Sequence, residues 1–239
     1  MGAVRRFLAP QAAGCRELRL DAAETHHLLR VLRLRPGAHI EIFDGAGNAF
    51  SARFAGVDAE ARCLVERGAA LPAKEPGIRL EVAVALPKGD GLTTIVRQLA
   101  EIGAGTIVPL TSERSEGRAA PDRLPRWRAA ALSGTRQSGR ATVPTVAAPT
   151  PFEGWLRGNL APDRWIASPR TARGGPPGTP GLRAAGDRVL AVGPEGGFSA
   201  GELADAHRHG FRRFDLGERI LRTGTAAVVA AALLLRRAE

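Results

Sequence analysis

Two glycine-bearing segments near the end of the chain hold the residues best suited to bind a small ligand. The first, GPEGG at residues 193–197, follows an apolar run and precedes Ser199. Glycines allow backbone amides to approach a ligand closely, because no Cβ intervenes. However, Glu195 would repel a phosphate, and neither GxxxxGK[ST] nor GxGxxG is present. The loop therefore favours a ligand with hydroxyls or positive charge, such as the ribose or sulfonium of S-adenosylmethionine.

The second segment, DLGERILRT at residues 215–223, places another glycine loop between a strand pattern and an Ala-rich helix. Apolar residues cover every face of that helix, 225–235, so we expect it to be buried against the sheet, another subunit or the rest of the chain. Purely structural interpretations stay open for both segments. The first is then a tight turn into a helix capped by Ser199 and Glu202, and the second a core helix with its capping loop.

The charge of the chain predicts a polyanionic partner, with nucleic acid as the first choice. The formal net charge is +10, and nearly all of the positive charge is arginine, since Lys74 and Lys88 are the only lysines. Arginine suits bidentate contacts with phosphates and base edges, although a solvated basic face or an arginine-rich genome would give the same composition. The candidate RNA contacts are Arg6, His26, Arg30, Arg33, Arg35, Lys88, Arg114, Arg126, Arg136, Gln137 and Arg140.

Several other chemistries find no support. Cys15 and Cys63 are far apart with no CxxC, and the pairs His26–His27 and His207–His209 have the wrong spacing for metal ligation, so no metal is expected. No serine lies in a nucleophile elbow. Residues 1–9 lack the apolar core of a signal peptide, and the longest apolar run is too short to span a bilayer. We therefore expect a cytoplasmic protein without a membrane segment.

The first third of the sequence predicts a small β-barrel of roughly 70 residues, the size of a small domain. A strand at 18–20 precedes a helix that begins at Asp21, with Glu24 three residues later, and short strands around tight turns follow from residue 39. The polar break LPAKEPG at 71–77 marks the boundary. The predicted domains are thus residues 1–72 and 73–239.

From Leu80 onward the pattern alternates between strands and helices, which predicts an α/β domain with a parallel sheet covered on both faces. Three helices are predicted among these strands. The first has its apolar face at 92–102, the second is a basic helix at about 122–139, and the third is the closing Ala-rich helix. A loose linker, TARGGPPGTPG, occupies 171–181. The predicted strands are 80–86, 106–110, 164–168, 189–192 and 213–217.

Six motifs occur in a fixed order along nearly the whole chain: HHLLRVLRLRPGA, LPKGD, IVPLTSERS, QSGR, GPEGGFSAGE and LGERILRT. In this order and spacing they resemble the bacterial small-subunit ribosomal RNA uridine-N3 methyltransferase family of the SPOUT class. The resemblance implies an N-terminal PUA-like β-barrel for RNA and a C-terminal SPOUT parallel sheet with a deep trefoil knot. It also implies S-adenosylmethionine as cofactor, ribosomal RNA of the small subunit as partner, and a homodimer whose interface includes the closing helix.

The same resemblance assigns the cofactor to three loops, IASPR (166–170), GPEGG and LGERIL. Arg222 is the candidate catalytic residue on chemical grounds, because an arginine beside the base would stabilise the negative charge that develops on the uracil. The implied cofactor contacts are Ala167, Ser168, Gly193, Pro194, Glu195, Gly196, Leu216, Gly217, Ile220 and Leu221.

The sequence departs from the family pattern in two places. The segment RQLAEIGAG at 97–105 stands where Lys, Thr and Val are commoner, and the more important departure is Gly224. Gly224 follows LRT where such proteins usually carry Glu. Two alternatives therefore stay open: an RNA-binding ribosome-assembly factor with the same fold and reduced or lost activity, and a SPOUT methyltransferase that acts on another RNA.

Overall fold

A computed structural model describes residues 5–72, 74–117, 121–168 and 186–236. The chain divides into two compact units. The first comprises the residues up to Glu75 together with Thr135–Val143, and the second comprises Pro76–Gly134 and the residues from Pro144 onward. The predicted linker at 171–181, and Pro169 and Arg170 of the first predicted loop, lie outside the described residues. The predicted division after residue 72 stays a prediction.

The first unit contains a five-stranded sheet with the order β1-β3-β4-β5-β2. Strands β1 and β3 are parallel, and the other neighbours are antiparallel. Register shifts between β4 and β5, at Phe50/Ala52 and Phe54/Gly56, mark bulges that bend this longest pair. The five strands are β1 (Arg6–Leu8), β2 (Glu17–Arg19), β3 (His39–Phe43), β4 (Ala49–Val57) and β5 (Cys63–Leu71).

A short helix, α1 (Ala22–His26), follows β2 and continues into a π-helical turn over His27–Val31. Asp21 caps it as predicted, because its carboxylate accepts a hydrogen bond from the amide of Glu24 at 2.7 Å. Leu28 points into the core of this unit, where it packs in one cluster with the buried side chains of the strands. The capping signal of Asp21 and Glu24 thus predicted the start of the helix. The helix was expected to stop at Pro36 and Gly37, but its π-helical turn already ends at Val31.

The second unit is built on a sheet in which every strand pair is parallel, as the alternation of strands and helices predicted. The order is β12-β10-β11-β6-β7-β8, and β9 pairs with β7. The strands are β6 (Leu80–Ala85), β7 (Thr106–Thr111), β8 (Thr145–Val146), β9 (Thr150–Pro151), β10 (Asp163–Ala167), β11 (Arg188–Val192) and β12 (Arg212–Phe214).

Helices cover both faces of this sheet and give it two apolar cores. Val82 and Val84 of β6 pack in the cluster that includes α2, α3 and α6, while Ala83 between them packs with α4 and α5. A strand buried on both faces favours apolar residues, which explains the run Val82–Ala85 of β6. Glu81 before this run is half-buried, and its carboxylate accepts a hydrogen bond from Trp155. The helices are α2 (Gly91–Ile102), α3 (Leu124–Ser138), α4 (Phe152–Gly158), α5 (Ala200–Arg208) and α6 (Thr223–Leu235).

Two helix ends follow the sequence signals closely. Ser199 and Glu202 form the predicted capping box at the start of α5, in which each side chain accepts from the other's backbone amide. Gly103 ends α2 with a φ of +116°, a left-handed conformation that favours glycine. These two helix ends therefore lie where local sequence chemistry places them.

Helix α6 is buried on one side only within this chain. Ala227, Ala230 and Leu234 are fully buried, but Val229 and Leu233 are each 41 % exposed. The expectation that the helix is buried on all sides is therefore not met by the chain alone. The sheet and α2 cover one face, and an apolar face is left toward solvent.

Candidate cofactor pocket and RNA-contacting residues

The three predicted loops meet at the carboxyl edge of the parallel sheet. Strands β10, β11 and β12 are direct neighbours and end at Ala167, Val192 and Phe214. In the strand register, Ala167 is opposite both Val192 and Phe214. The amide of Ser168 donates to the carbonyl oxygen of Phe214 at 3.3 Å. The carboxyl edge of an open α/β sheet is the usual place for a ligand. The described residues of these loops line one pocket.

Nine of the ten predicted cofactor residues line this pocket. They are Ala167, Ser168, Gly193, Pro194, Glu195, Leu216, Gly217, Ile220 and Leu221. Gly196, the tenth, is exposed and is not part of the lining. Seven further lining residues were not predicted, namely Val192, Gly197, Phe214, Asp215, Arg219, Thr223 and Ala226. The assignment of these residues to a cofactor stays a prediction.

The GPEGG loop is a tight turn fixed at both ends. The amide of Gly197 donates to the carbonyl of Pro194 at 2.8 Å, and Gly197 has a φ of +66°. A Cβ on Gly193 would lie only 3.1 Å from the amide nitrogen of Phe198. Thr223, at the start of α6, donates from its hydroxyl to the carbonyl of Gly193. The glycines are thus needed for the turn itself and for its close packing.

The third loop owes its shape to an Asp-x-Gly turn. The carboxylate of Asp215 accepts a hydrogen bond from the amide of Gly217 at 2.8 Å, and Gly217 has a φ of +101°. Ile220, farther along the loop, is 90 % exposed although it lines the pocket. The turn is visible in the sequence as DLG, which would have allowed Asp215 to be named as a pocket residue.

Ser168 provides the most direct sign that the pocket holds a polar ligand. Its side chain is 8 % exposed, and within the described residues its Oγ has no hydrogen-bond partner. A buried hydroxyl without a partner costs free energy, so native structures satisfy such groups with protein, water or ligand atoms. Together with the exposed carboxylate of Glu195 and the backbone groups of the two glycine loops, this hydroxyl fits a ligand with ribose hydroxyls and a positive charge.

Arg222 lies at the mouth of the pocket rather than in its lining. It is exposed at the N-cap of α6, between the lining residues Leu221 and Thr223, and its side chain makes no capping hydrogen bond. Its side chain is therefore available to a second ligand beside the pocket. The predicted catalytic role of Arg222 is compatible with this position and stays a prediction.

Gly224, the departure from the family pattern, faces helix α2 rather than the ligand. A Cβ at this position would lie 3.2 Å from Cγ1 of Ile95, and Gly224 does not line the pocket. A small residue therefore suits the packing of α6 against α2 at this point. The structure gives Gly224 a local packing reason within the core.

Three of the predicted RNA-contacting residues extend from the pocket edge along the same side of the sheet. Lys88 follows β6, Arg114 follows β7, and Arg126 in α3 pairs with Asp90. Lys88 lies 3.6 Å from Glu116. All three cations are exposed, and surface ion pairs of this kind contribute little and exchange readily for phosphate.

The predicted RNA-contacting residues of the first unit divide into an exposed and an internal set. His26, Arg30, Arg33, Arg35 and Gln137 are exposed, and within the described residues none of these three arginines forms an ion pair. The internal set is Arg6, Arg136 and Arg140, of which Arg6 and Arg140 are 7 % and 4 % exposed.

The internal arginines attach the segment Thr135–Val143 to the first unit. Arg6 pairs with Glu41 and donates to the carbonyl oxygen of Arg140 at 2.6 Å. Arg140 in turn pairs with Glu75 at 2.8 Å, and Arg136 pairs with the buried Glu24. These guanidiniums are directed at carboxylates and carbonyls of the protein.

The carboxylate of Glu75 is the centre of this attachment. One of its oxygens accepts from Arg140 and the other from the amides of Ala141 and Thr142, both at 2.9 Å. Burial alone would raise the pKa of Glu75, but the hydrogen bonds and charge of Arg140 and the backbone amides hold this pKa below its ordinary value. The ionised form is therefore the one that the fold favours.

Residues 5–72, 74–117, 121–168 and 186–236 contain no group of three or more His, Cys, Asp or Glu arranged to hold a metal ion. Across the same parts of the chain, no helix is long and apolar enough to cross a membrane.

Comparison with known families identifies the class to which this architecture belongs. The family described as RNA methyltransferase domain matches residues 74–235, and the RNA methyltransferase PUA domain matches residues 20–61. A parallel α/β sheet with its pocket at the carboxyl edge, joined to a PUA domain, defines an RNA methyltransferase of the SPOUT fold. The deep trefoil knot named in the sequence analysis belongs to this fold class.

Individual relatives show to which family within this class the chain belongs. Ribosomal RNA small subunit methyltransferase E of Synechocystis is 33 % identical over 233 residues, which are 96 % of this chain and 76 % of the relative. The Mycobacterium tuberculosis protein of the same name is 31 % identical, and the match covers 88 % of this chain and 83 % of the length of that relative. The Neisseria gonorrhoeae enzyme, crystallised with S-adenosylmethionine, superposes with a TM-score of 0.84 at 32 % identity, covering 96 % and 95 % of the two chains. This chain belongs to the ribosomal RNA small subunit methyltransferase E family.

Proposed function

We propose that this protein transfers the methyl group of S-adenosylmethionine to N3 of a uridine in small-subunit ribosomal RNA. The observation that carries the proposal is the three-loop pocket at the carboxyl edge of the sheet. Its lining includes Ser168, whose buried hydroxyl has no hydrogen-bond partner among the described residues. The related Neisseria gonorrhoeae enzyme was crystallised with S-adenosylmethionine, which supports the same cofactor here. Because the substrate is ribosomal RNA, we place the protein in the cytoplasm.

The pocket residues divide the binding of the cofactor between side chains and backbone. Ser168 offers its hydroxyl, and the turns at Gly193–Gly197 and Asp215–Gly217 offer backbone amides and carbonyls. Glu195 supplies a negative charge to a cationic ligand. When bound, S-adenosylmethionine supplies a methyl group activated by its sulfonium.

The chemical task of the protein is to bring uracil N3 to this methyl group and to favour loss of the N3 proton. Orientation of two bound reactants contributes about 7 to 11 kcal/mol in favourable cases, so it carries the larger share. Arg222, exposed beside the pocket mouth, is placed to stabilise the negative charge that develops on the uracil. The base must leave its stack to reach this position, which favours a single-stranded target.

The exposed polar and basic residues are those that we assign to RNA contact. They are Lys88, Arg114 and Arg126 beside the pocket, and His26, Arg30, Arg33 and Arg35, with Gln137, in the first unit. Arg6, Arg136 and Arg140 contribute indirectly, because their side chains attach the segment that carries Gln137. RNA affinity that comes mainly from phosphate contacts falls steeply as the salt concentration rises.

We infer further that the protein acts as a homodimer through the open face of α6. Val229 and Leu233 are both 41 % exposed on this helix, and a symmetry-related copy would cover them. Because Val229 faces solvent in one chain, Val229→Arg should split the dimer without unfolding it. Sedimentation at micromolar concentration and circular dichroism test this. A wild-type monomer with full methyl transfer would contradict the proposed interface.

An assembly factor without activity and a methyltransferase for another RNA are the competing functions. The motive for the first was Gly224, but this residue packs against Ile95 and does not line the pocket. The position therefore gives no reason to expect a lost cofactor site. A measurement of methyl transfer distinguishes the proposed enzyme from an inactive assembly factor. The identity of the methylated nucleoside distinguishes it from a methyltransferase for another RNA.

The experiment that tests the pocket is calorimetric titration of S-adenosylmethionine with Ser168→Ala and a matched control. We expect Ser168→Ala to weaken binding about tenfold, since loss of one buried hydrogen bond is worth about 1 to 1.5 kcal/mol. Ser133→Ala is the control, because Ser133 is exposed on α3 away from the pocket lining. Equal affinity in both variants would remove Ser168 from the site.

A further inference from the structure

Arg114 contacts the one residue of the GPEGG loop that does not line the pocket. Its Nη1 donates a hydrogen bond to the carbonyl oxygen of Gly196 at 2.9 Å. Its Cβ and Cδ lie 3.7 and 3.6 Å from the point that a Cβ on Gly196 would occupy, so the arginine stem packs along this glycine. Because Glu195 and Gly197 on either side do line the pocket, Arg114 holds the loop from outside.

The backbone around Arg114 is itself fixed to the helix that follows the GPEGG loop. The amide of Glu113 donates to Oε1 of Glu202 at 2.9 Å, while Oε2 of the same carboxylate accepts from the amide of Ser199. The carboxylate that caps α5 therefore also holds the residue before Arg114. On the other side, Ser115 Oγ accepts from the amide of Ser112 at 3.0 Å and closes a turn. The arginine thus extends from a rigid base.

The guanidinium of Arg114 keeps donors for a second ligand. It carries five N–H groups in a planar fork, of which one bonds to Gly196, and the residue is exposed. It lies on the loop after β7, next to the loop after β6 that carries Lys88, since the amide of Gly117 donates to the carbonyl of Leu86. Arg114 therefore belongs both to the cofactor loop and to the exposed cations at this edge. A phosphate can bind the remaining N–H groups while the bond to Gly196 persists.

Building on the proposed function, we propose that Arg114 is a positioning residue that couples RNA binding to cofactor binding. An RNA phosphate bound by the outer N–H groups immobilises the guanidinium, and this in turn holds the Gly196 carbonyl and the turn that lines the pocket. The free-energy cost of ordering the loop is then shared between the two ligands. Each ligand therefore binds more tightly in the presence of the other. The coupling keeps the cofactor loop ordered when substrate RNA is present.

The test is the affinity for S-adenosylhomocysteine, which cannot donate a methyl group, measured on the full chain with and without saturating small-subunit ribosomal RNA transcript. We expect the RNA to tighten binding about three- to tenfold in the wild type, as is typical of coupling between two sites. In Arg114→Ala the two affinities should agree within about twofold. Arg114→Lys keeps the charge but loses the fork, and it should keep most of the RNA affinity while losing most of the coupling.

Arg126→Ala serves as the matched control, because it removes an exposed cation whose ion-pair partner is Asp90 and not a residue of the GPEGG loop. It should weaken RNA binding yet retain the full coupling once RNA is saturating. The same coupling in Arg114→Ala as in the wild type would overturn this inference alone. A wild-type chain that binds no S-adenosylhomocysteine at all would overturn the proposed function as well. Melting temperatures close to the wild type verify that each variant is folded.

Discussion

The hydroxyl of Thr223 donates a hydrogen bond to the carbonyl oxygen of Gly193 across 3.1 Å, and Thr223 is only 4 % exposed. This bond joins the first residue of α6 to the first residue of the GPEGG loop. Arg222, the residue to which we assign the catalytic role, immediately precedes Thr223. The bond therefore fixes the second and third pocket loops relative to each other, and the position of Arg222 depends on it.

Thr223→Val removes this hydroxyl while keeping nearly the same shape. We expect cofactor affinity to fall about five- to tenfold, because the Gly193 carbonyl loses its buried partner, at about 1 kcal/mol. The methyl-transfer rate at saturating cofactor should fall as well, because Arg222 is no longer held in place. Thr223→Ser restores the donor and should recover most of both losses. Full activity in Thr223→Val would show that the bond does not position the loop.

Gly217→Ala tests the backbone conformation of the third loop. Gly217 has a φ of +101°, where an alanine is strained by about 1 to 2 kcal/mol. An exposed loop relieves this strain by leaving its conformation, so we expect cofactor affinity to fall about tenfold with little change in melting temperature. Gly196→Ala is the matched control, since a Cβ there makes only ordinary contact with Arg114. If both variants bind the cofactor equally well, the third loop does not shape the pocket.

Arg126 and Arg140 have opposite predicted roles although both are arginines of the same basic stretch. Arg126→Ala should reduce the slope of log affinity for RNA against log salt by about 1 and leave the melting temperature unchanged, because Arg126 is exposed. Arg140→Ala should lower the free energy of unfolding by about 3 kcal/mol, because it leaves Glu75 without its buried partner. Filter binding and thermal unfolding distinguish the two. The reverse pattern would contradict the division into exposed and internal arginines.

The depressed pKa of Glu75 predicts how stability responds to acid. Since the folded-state pKa lies below the unfolded value of about 4.5, the stabilisation is fully present above that pH and is lost as the pH falls through the folded pKa. Glu75→Gln should be less stable than the wild type at pH 7. The difference in stability between the wild type and Glu75→Gln should shrink as the pH falls below about 4. Melting temperatures from pH 7 to pH 3 measure it, and a constant difference would show that Glu75 is not ionised in the fold.

The sequence predicted those features that depend on local chemistry. The Asp21 cap, the Ser199–Glu202 capping box and the glycine end of α2 each involve residues within a few positions of one another. The parallel sheet followed from the alternation of strands and helices. Pocket loops two and three were recognised because each glycine turn comes directly after a strand, and parallel strands end at one edge.

The sequence did not show which side chains meet across long separations. Arg6 and Arg140 have the same residue type as the exposed arginines, and their partners Glu41 and Glu75 lie 35 and 65 positions away. The bond from Thr223 to Gly193 spans 30 positions, and that from Arg114 to Gly196 spans 82. Such contacts depend on the packed fold, so charge and composition alone assigned internal arginines to RNA.

The identity of the methylated nucleoside is the most direct test of the proposed methylation of uridine N3 in small-subunit ribosomal RNA. Small-subunit ribosomal RNA is purified from a strain that lacks this gene, incubated with the protein and isotope-labelled S-adenosylmethionine, and digested to nucleosides for mass spectrometry. We expect 3-methyluridine to be missing from the untreated RNA and to appear with the label after incubation. Label in any other nucleoside, no transfer at all, or 3-methyluridine already present in the untreated RNA would contradict it.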